Sequence, residues 1–254
     1  TQAPLMVSAL EKAVRANKGT LRPSRTAFSQ SPAPISASVF ALDTEGWDSI
    51  DCVGVACAES AWTAKWNSTV FDVVQAAMGD PNKLCIMHNA NFDVPFLERA
   101  GIEVRCKLWD TMLGAALLQP DLKKGLSACG SLWLDCYRWK PPRNEKSTGS
   151  QRLDCQSEET YNALDTIREY ELYLVERAEM AALGQVPLFE MMMDTLPTLI
   201  RMQQRGIALD PARQGAWLAK LRVETAKLAA DWAREAPGVA FGSPHQLKRY
   251  FKSL

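Results

Sequence analysis

Two carboxylates, Asp43 and Glu45, stand one residue apart at the end of the apolar run 39–42. On an extended strand, residues i and i+2 point to the same side, so the two acids converge. Converging carboxylates repel each other unless a cation lies between them. Alone, such a pair is barely above chance and fits a solvated strand end equally well. Two further groups change its meaning. Asp93 falls in "HNANFD", just past a second strand-like stretch and at the start of a helix. Tyr161 and Asp165, in "YNALD", lie at i and i+4 on one helix face. Acids at the ends of two strands and on a late helix fall where sites form in an open α/β sheet.

Strands alternating with helices would position these residues. Residues 38–44, 50–60 and 61–67 read as three strands in close succession, an antiparallel meander. Ser68 reads as the N-cap of a helix with Phe71, Val74 and Met78 at helical spacing. A strand over 83–89, a helix over 92–101 ending at Gly101, a strand over 103–110 and a helix over 111–119 follow. From about residue 125 the periodicity is helical, through "GLSACGSLWLDCY" and the long "SEETYNALDTIREYELYLVERAEMAAL" with Ser157 as N-cap. The expected fold class is α/β, with a largely parallel sheet flanked by helices and followed by an all-helical C-terminal segment.

Composition shifts suggest the domain limits. The Ser- and Pro-rich stretch 20–34 reads as a linker or a surface-wrapped arm, so 1–34 is an N-terminal extension. "GQVP", at 184–187, separates a domain over 35–184 from a helical segment over 185–254. Between the helices, 138–152 forms a basic loop, either plain solvated surface or a contact for a polyanion.

The 254 residues hold 29 Lys and Arg against 29 Asp and Glu, a net charge of zero. Stand-alone nucleic-acid binders are usually basic. Any nucleic-acid contact would therefore need local positive charge or bound metal. No apolar stretch is long enough to span a membrane, and the N-terminus has no signal-peptide core. The expectation is no membrane partner and a cytoplasmic or organellar, non-secreted protein. Seven cysteines without a CxxC fit small buried hydrophobes in a reducing compartment, and two histidines argue against a zinc site.

The ordered set "ALDTE", "HNANFD", "LWDTMLGAALLQP" and "YNALD" resembles the DEDD (DnaQ-like) 3′–5′ exonucleases of the tyrosine type. More narrowly, it resembles the proofreading domain of family A DNA polymerases. The resemblance covers 37 to about 180 and implies a ribonuclease H-like mixed β-sheet. Beyond 185, "LIRMQQRGIALDPARQGAWLAKLRVETAKLA" and "FGSPHQLKRYF" look like the helical entry to that family's polymerase domain. The palm and fingers motifs are absent, so the resemblance implies that this chain alone does not polymerise. The implied activity is a metal-dependent 3′–5′ DNA exonuclease that proofreads and releases nucleoside monophosphates. An RNA 3′-end-trimming exoribonuclease of the same superfamily is the alternative.

By the same resemblance, Asp43, Glu45, Asp93, Tyr161 and Asp165 would be catalytic. Asp43 would bridge two ions, Glu45 and Asp165 would complete the site holding the attacking water, and Asp93 would support the second ion largely through water. Tyr161 would orient the attacking water. Oxygen-only ligands favour Mg²⁺ or Mn²⁺. His88 and Asn89 would reach the terminal sugar or phosphate, unless His88 only caps the strand end. The segment "GWDSI" departs from the family's leucine wedge, leaving Trp47 or Ile50 to separate bases. Arg138, Trp139, Lys140, Arg143 and Lys146 would steer single-stranded DNA, and Phe92 is expected in the core. The expected partners are single-stranded DNA or a frayed primer 3′ end, and a polymerase domain in the same or a partner chain.

Overall fold

The computed structural model describes residues 27–29, 31–58, 60–134, 136 and 158–254, apart from the side chains of 27, 28 and 158–160. Most of the N-terminal extension, the basic loop 138–152 and the Ser157 cap lie outside the described residues. So do Arg138, Trp139, Lys140, Arg143 and Lys146.

The meander expected from three successive apolar runs is present. Strands β2 (Val39–Glu45), β3 (Cys52–Ala56) and β4 (Ser60–Lys65) pair antiparallel, with Asp43 opposite Gly54. Strands β5 (Leu84–Met87) and β6 (Lys107–Asp110) continue the sheet in parallel on the other side of β2. A short strand β1 (Ala27–Ser29) pairs in parallel with β4, giving the order β1-β4-β3-β2-β5-β6. The Ser- and Pro-rich stretch thus contributes an edge strand. Three residues carry no periodicity to read, and their pairing is non-local.

Two layers of helix cover the sheet. Alternate residues of β2 face opposite ways. Phe40 and Leu42 join Val53 and Val55 in a core with Val70, Val74 and Met78 of α1 (Ser68–Met78) and Val94 and Leu97 of α2 (Ala90–Arg99). Burying each Leu or Phe side chain contributes about 1.5–3 kcal/mol. Asn67, not Ser68, caps α1, its side-chain oxygen accepting the Val70 N–H at 3.1 Å. The opposite face carries the small residues Ala41, Ala56 and Ala61, buried with Ile86 and Tyr173. They let the long helix α5 (Glu158–Leu183) lie close against β2, β3 and β4. Helices α3 (Thr111–Leu118) and α4 (Leu126–Trp133) pack on α5 in turn. Cys52, Cys85, Cys106 and Cys129 are buried, as expected of small core residues.

The compact unit that holds the sheet runs to Gln204, past the break near 185. Gly184, at φ +67°, only turns the chain from α5 into α6 (Val186–Arg205). That helix buries Leu196 and Ile200 in the core beneath α1 and α2, and Phe189 in a second core with Ala115 of α3, Leu126 of α4 and Leu172 of α5. The second unit, 205–254, holds α7 (Pro211–Glu235) and α8 (Pro244–Ser253). Asp210 and Ser243 cap them, each followed by Pro at the first helical position. Trp232 Nε1 donates to the Val239 carbonyl at 2.6 Å, and the Tyr250 hydroxyl donates to the Glu235 carbonyl at 3.0 Å.

One core group gives the fold a pH dependence. Glu176 of α5 is fully buried, and its Oε2 accepts from Trp109 Nε1 at 3.2 Å. A Cβ at residue 114 would lie 2.2 Å from that oxygen, so α3 needs Gly114 there. Burial holds the Glu176 carboxyl well above the usual range, Asp110 and Glu179 add to the rise, and the Trp109 bond opposes it. The folded value exceeds the unfolded one. Its stabilising contribution is therefore complete below the unfolded pKa and is lost as pH rises through the folded one. In that window stability falls by up to about 1.4 kcal/mol per pH unit. Glu176→Gln keeps an acceptor for Trp109 and removes this slope. Its stability should gain on the parent steadily as pH rises from 5 to 8 in urea titrations (roughly the window above the free carboxyl value). Parallel curves would show that Glu176 does not take up a proton in the fold.

Candidate active site

The site forms where β2 leaves the sheet. Asp43 and Glu45 lie on the face that α5 covers, and Asp165 of α5 is buried above them. Asp43, Glu45 and Asp165 each offer an oxygen, and these atoms all lie within 4.8 Å of one another. Three carboxylates at this spacing repel one another strongly without a cation. Their oxygen-only chemistry fits a hard divalent ion such as Mg²⁺ or Mn²⁺. Tyr161, half-buried one helical turn before Asp165, packs beside the second core.

Asp93 does not join this trio. It comes from α2, which covers the other face of the sheet, and meets Thr44, the residue between Asp43 and Glu45. Asp93 Oδ1 accepts both the Thr44 N–H at 3.0 Å and the Thr44 hydroxyl at 2.6 Å. Burial pushes the Asp93 carboxyl up to about 7, against the pull of the two Thr44 bonds, and Asp110 adds to the rise.

Asn162 was not singled out in the sequence, although it sits inside "YNALD". It is fully buried, and its Nδ2 donates to Asp43 Oδ2 at 2.9 Å. Its Oδ1 accepts from the Thr63 hydroxyl of β4 at 3.1 Å. A Cβ on Gly54 would lie 2.3 Å from that Oδ1, so the glycine of "CVGVA" makes room for the amide. A glycine inside a strand marks such a close approach.

The residues expected to touch substrate divide. Trp47 is 89% exposed at the tip of the β2–β3 loop, whereas Ile50 is buried in the core and cannot act as a wedge. The loop depends on Gly46, at φ +155°, where a Cβ would lie 1.9 Å from the Ser49 carbonyl oxygen. Phe92 is not a core residue. It precedes the buried Asp93 on α2, turns outward to 46% exposure, and packs on Phe96 at 4.9 Å between ring centroids. His88 has both ring nitrogens engaged, Nδ1 with the Thr111 hydroxyl at 2.9 Å and Nε2 with the Lys124 carbonyl at 2.8 Å. Asn89 is left-handed, at φ +79°, and serves as the N-cap residue of α2 without a side-chain cap bond. These two residues build the corner between β5 and α2.

Residues 30–173 match the family model described as "3'-5' exonuclease", of the DNA polymerase A type. The chain belongs to that exonuclease family. It is a DEDD-type 3′–5′ exonuclease, a hydrolase with the ribonuclease H-like mixed sheet described above, and its family depends on divalent metal. DNA polymerase I of Treponema pallidum (strain Nichols) is 28% identical over 137 residues, covering 51% of this chain but only 14% of the polymerase. Among solved structures, Brucella melitensis NrnC bound to pGG superposes with a TM-score of 0.59 at 18% identity, over 71% of this exonuclease and 93% of NrnC. The Pol1 structure from M. smegmatis in complex with DNA primer-template and dNTP has the same TM-score and identity, over 87% of this chain and 40% of Pol1. At these identities the superpositions show the fold. No described helix is long and apolar enough to cross a membrane.

Proposed function

We propose that this exonuclease removes nucleotides from the 3′ end of single-stranded DNA or a frayed primer, as a proofreading activity does. The observation that carries this reading is the carboxylate trio of β2 and α5, with oxygens within 4.8 Å of one another. Asp43, Glu45 and Asp165 would hold two divalent ions, Mg²⁺ or Mn²⁺, with Asp93 as the fourth acid acting through water because its Thr44 bonds keep it aside. Bound ions would supply an activated water and relief of charge at the phosphoryl group.

The chain's own residues do the rest. Tyr161 accepts a hydrogen bond from the attacking water and aims it at phosphorus, opposite the bond to the departing 3′-oxygen. Water adds to phosphorus, the P–O3′ bond breaks, and the shortened strand regains a 3′-hydroxyl while a nucleoside 5′-monophosphate leaves. Trp47 stacks on a terminal base. The relationship to a DNA polymerase I supports DNA as substrate. The match of 30–173 to the exonuclease model supports reading 35–184 as the exonuclease domain, on which α6 packs, with 185–254 read as the entry to a polymerase domain in the same or a partner chain. The fit to nearly the whole of NrnC, solved with pGG, favours a second reading, the trimming of RNA 3′ ends or short oligonucleotides.

Strands labelled at the 5′ end, as DNA and as RNA, decide between them. DNA should shorten one nucleotide at a time with Mg²⁺ or Mn²⁺ and remain intact in EDTA. Trp47→Ala should raise KM several-fold and spare kcat, since base stacking is worth about 1–3 kcal/mol. Preference for RNA moves the activity to the second reading, and no metal-dependent shortening of either strand refutes both.

A further inference from the structure

The carboxylate that begins the site is not held by its strand alone. A chain of two hydrogen bonds runs from Thr63 of β4 through Asn162 of α5 to Asp43 of β2. Its polarity is set by chemistry. An ionised carboxylate only accepts, so the group of Asn162 that faces Asp43 Oδ2 at 2.9 Å has to be the NH₂. The amide oxygen then faces Thr63 Oγ1 at 3.1 Å and shares its single hydroxyl proton with the Val53 carbonyl, which lies 3.2 Å from the same Oγ1. Turning the amide over would set its oxygen against the carboxylate and its NH₂ against the hydroxyl. Asn162 Nδ2 also lies 3.3 Å from the Asp43 carbonyl, so one amide reaches both the side chain and the backbone of the same residue.

The surroundings keep this arrangement in place. Asn162, Thr63 and the neighbouring Thr166 are fully buried, so the Thr63–Asn162 bond is shielded from solvent, while Asp43 is half-buried. Gly54, directly across from Asp43 in the ladder, leaves the space the amide fills, and Thr166 Cγ2 would lie 3.0 Å from any Cβ there. Four elements therefore meet around one amide.

We infer that Asn162 is a positioning residue for the metal site, fixing one oxygen of Asp43 through the Thr63–Asn162–Asp43 relay so that the carboxylate meets a divalent cation in one orientation. This rests on the proposed reading of Asp43, Glu45 and Asp165 as the cation ligands. Groups that orient metal ligands typically change metal affinity or activity by about 10–100-fold when removed. Mere packing at 162 would lower thermal stability without changing the affinity of the folded protein for metal.

Mn²⁺ is the probe, counted as free and bound ion by electron paramagnetic resonance on the whole chain without nucleic acid. The parent should bind Mn²⁺, and Asn162→Ala should bind it about 10-fold more weakly. In parallel 3′-end digestion, the variant should need correspondingly more Mn²⁺ for half-maximal rate and show a lower kcat with KM for the strand unchanged. Asn162→Asp, which sets a second carboxylate against Asp43, should be worse than Ala. Thr63→Val, a near-isosteric change that removes the donor to Asn162 Oδ1, should weaken Mn²⁺ binding in the same direction by a smaller factor. It also stands in for Asn162→Ala if that variant does not fold. A folded Asn162→Ala or Thr63→Val protein with parental Mn²⁺ affinity overturns the relay. A parent that binds no Mn²⁺ instead overturns the reading of the carboxylate trio, so the two failures are distinct.

Discussion

Asp43→Asn should lower 3′-end hydrolysis on the order of 10³-fold, about 4 kcal/mol of transition-state stabilisation, while making the metal-free protein more stable. Both effects follow from the same geometry. The three acids hold their oxygens within 4.8 Å of one another, so their mutual repulsion is what a bound cation would offset. An amide at 43 removes one charge and keeps an oxygen to accept from Asn162, which now bonds the Asp43 carboxylate at 2.9 Å. Relief of repulsion between partly buried carboxylates is worth on the order of 1 kcal/mol after screening. For a chain of this size that is a rise of about 2–4 °C in melting temperature. Thermal melts in EDTA and in Mn²⁺ check both halves. The parent should gain stability with Mn²⁺ by mass action, and the variant should gain much less. Parental hydrolysis by the variant, or equal Mn²⁺-induced shifts, would remove Asp43 from the site.

The largest loss of stability is expected from Asp110→Ala, at the end of β6. Asp110 is buried, and one carboxylate starts two helices. Its oxygens accept the N–H groups of Asn89 at 3.2 Å and Ala90 at 2.8 Å, at the head of α2. They also accept those of Met112 at 2.8 Å and Leu113 at 3.1 Å, at the head of α3. Left-handed Asn89 offers α2 no side-chain cap of its own, so Asp110 supplies it from across the sheet. Burial raises the Asp110 carboxyl, outweighing the downward pull of those four donors. The net value is therefore below that of four independent charged hydrogen bonds. Two lost caps and orphaned donors amount to about 3–4 kcal/mol. Asp110→Asn, whose NH₂ cannot accept, should lose roughly half of this. Urea unfolding should show a lower midpoint with unchanged slope, and a loss below about 1 kcal/mol would show that water replaces the carboxylate. Activity should fall as well, because α2 carries Asp93 to Thr44.

Much of this was legible in the sequence, for local reasons. Period-two and period-3.6 apolar patterns located the meander, the alternating β5–α2–β6–α3 stretch and α5. The i, i+2 rule put Asp43 and Glu45 on one face. What was not legible depends on contacts between distant parts of the chain. Strand β1 has no pattern of its own and exists by pairing with β4. Asp93 was expected among the other acids, yet it comes from the opposite face and is taken up by Thr44. His88 and Asn89 read as polar residues at a strand end, open between touching substrate and, for His88, capping the strand. Their partners, Thr111, Lys124 and Asp110, lie a helix or more away in sequence. Ile50 and Phe92 exchanged their expected environments, since one residue of register decides which side of a turn or helix meets the core.

The space above Gly54 has a further consequence for how this chain can change over generations. The missing side chain at 54 and the amide at 162 share one volume, as the 2.3 Å approach of a Cβ to Asn162 Oδ1 shows. A mutation that enlarges 54 collides with the amide while Asn162 is present, and once 162 has shrunk it still needs Thr166 Cγ2, 3.0 Å from a Cβ, to give way. Sequence drift at the two positions is thus ordered: the helix has to yield first, and a lineage that has filled 54 cannot readily recover the amide that orients Asp43.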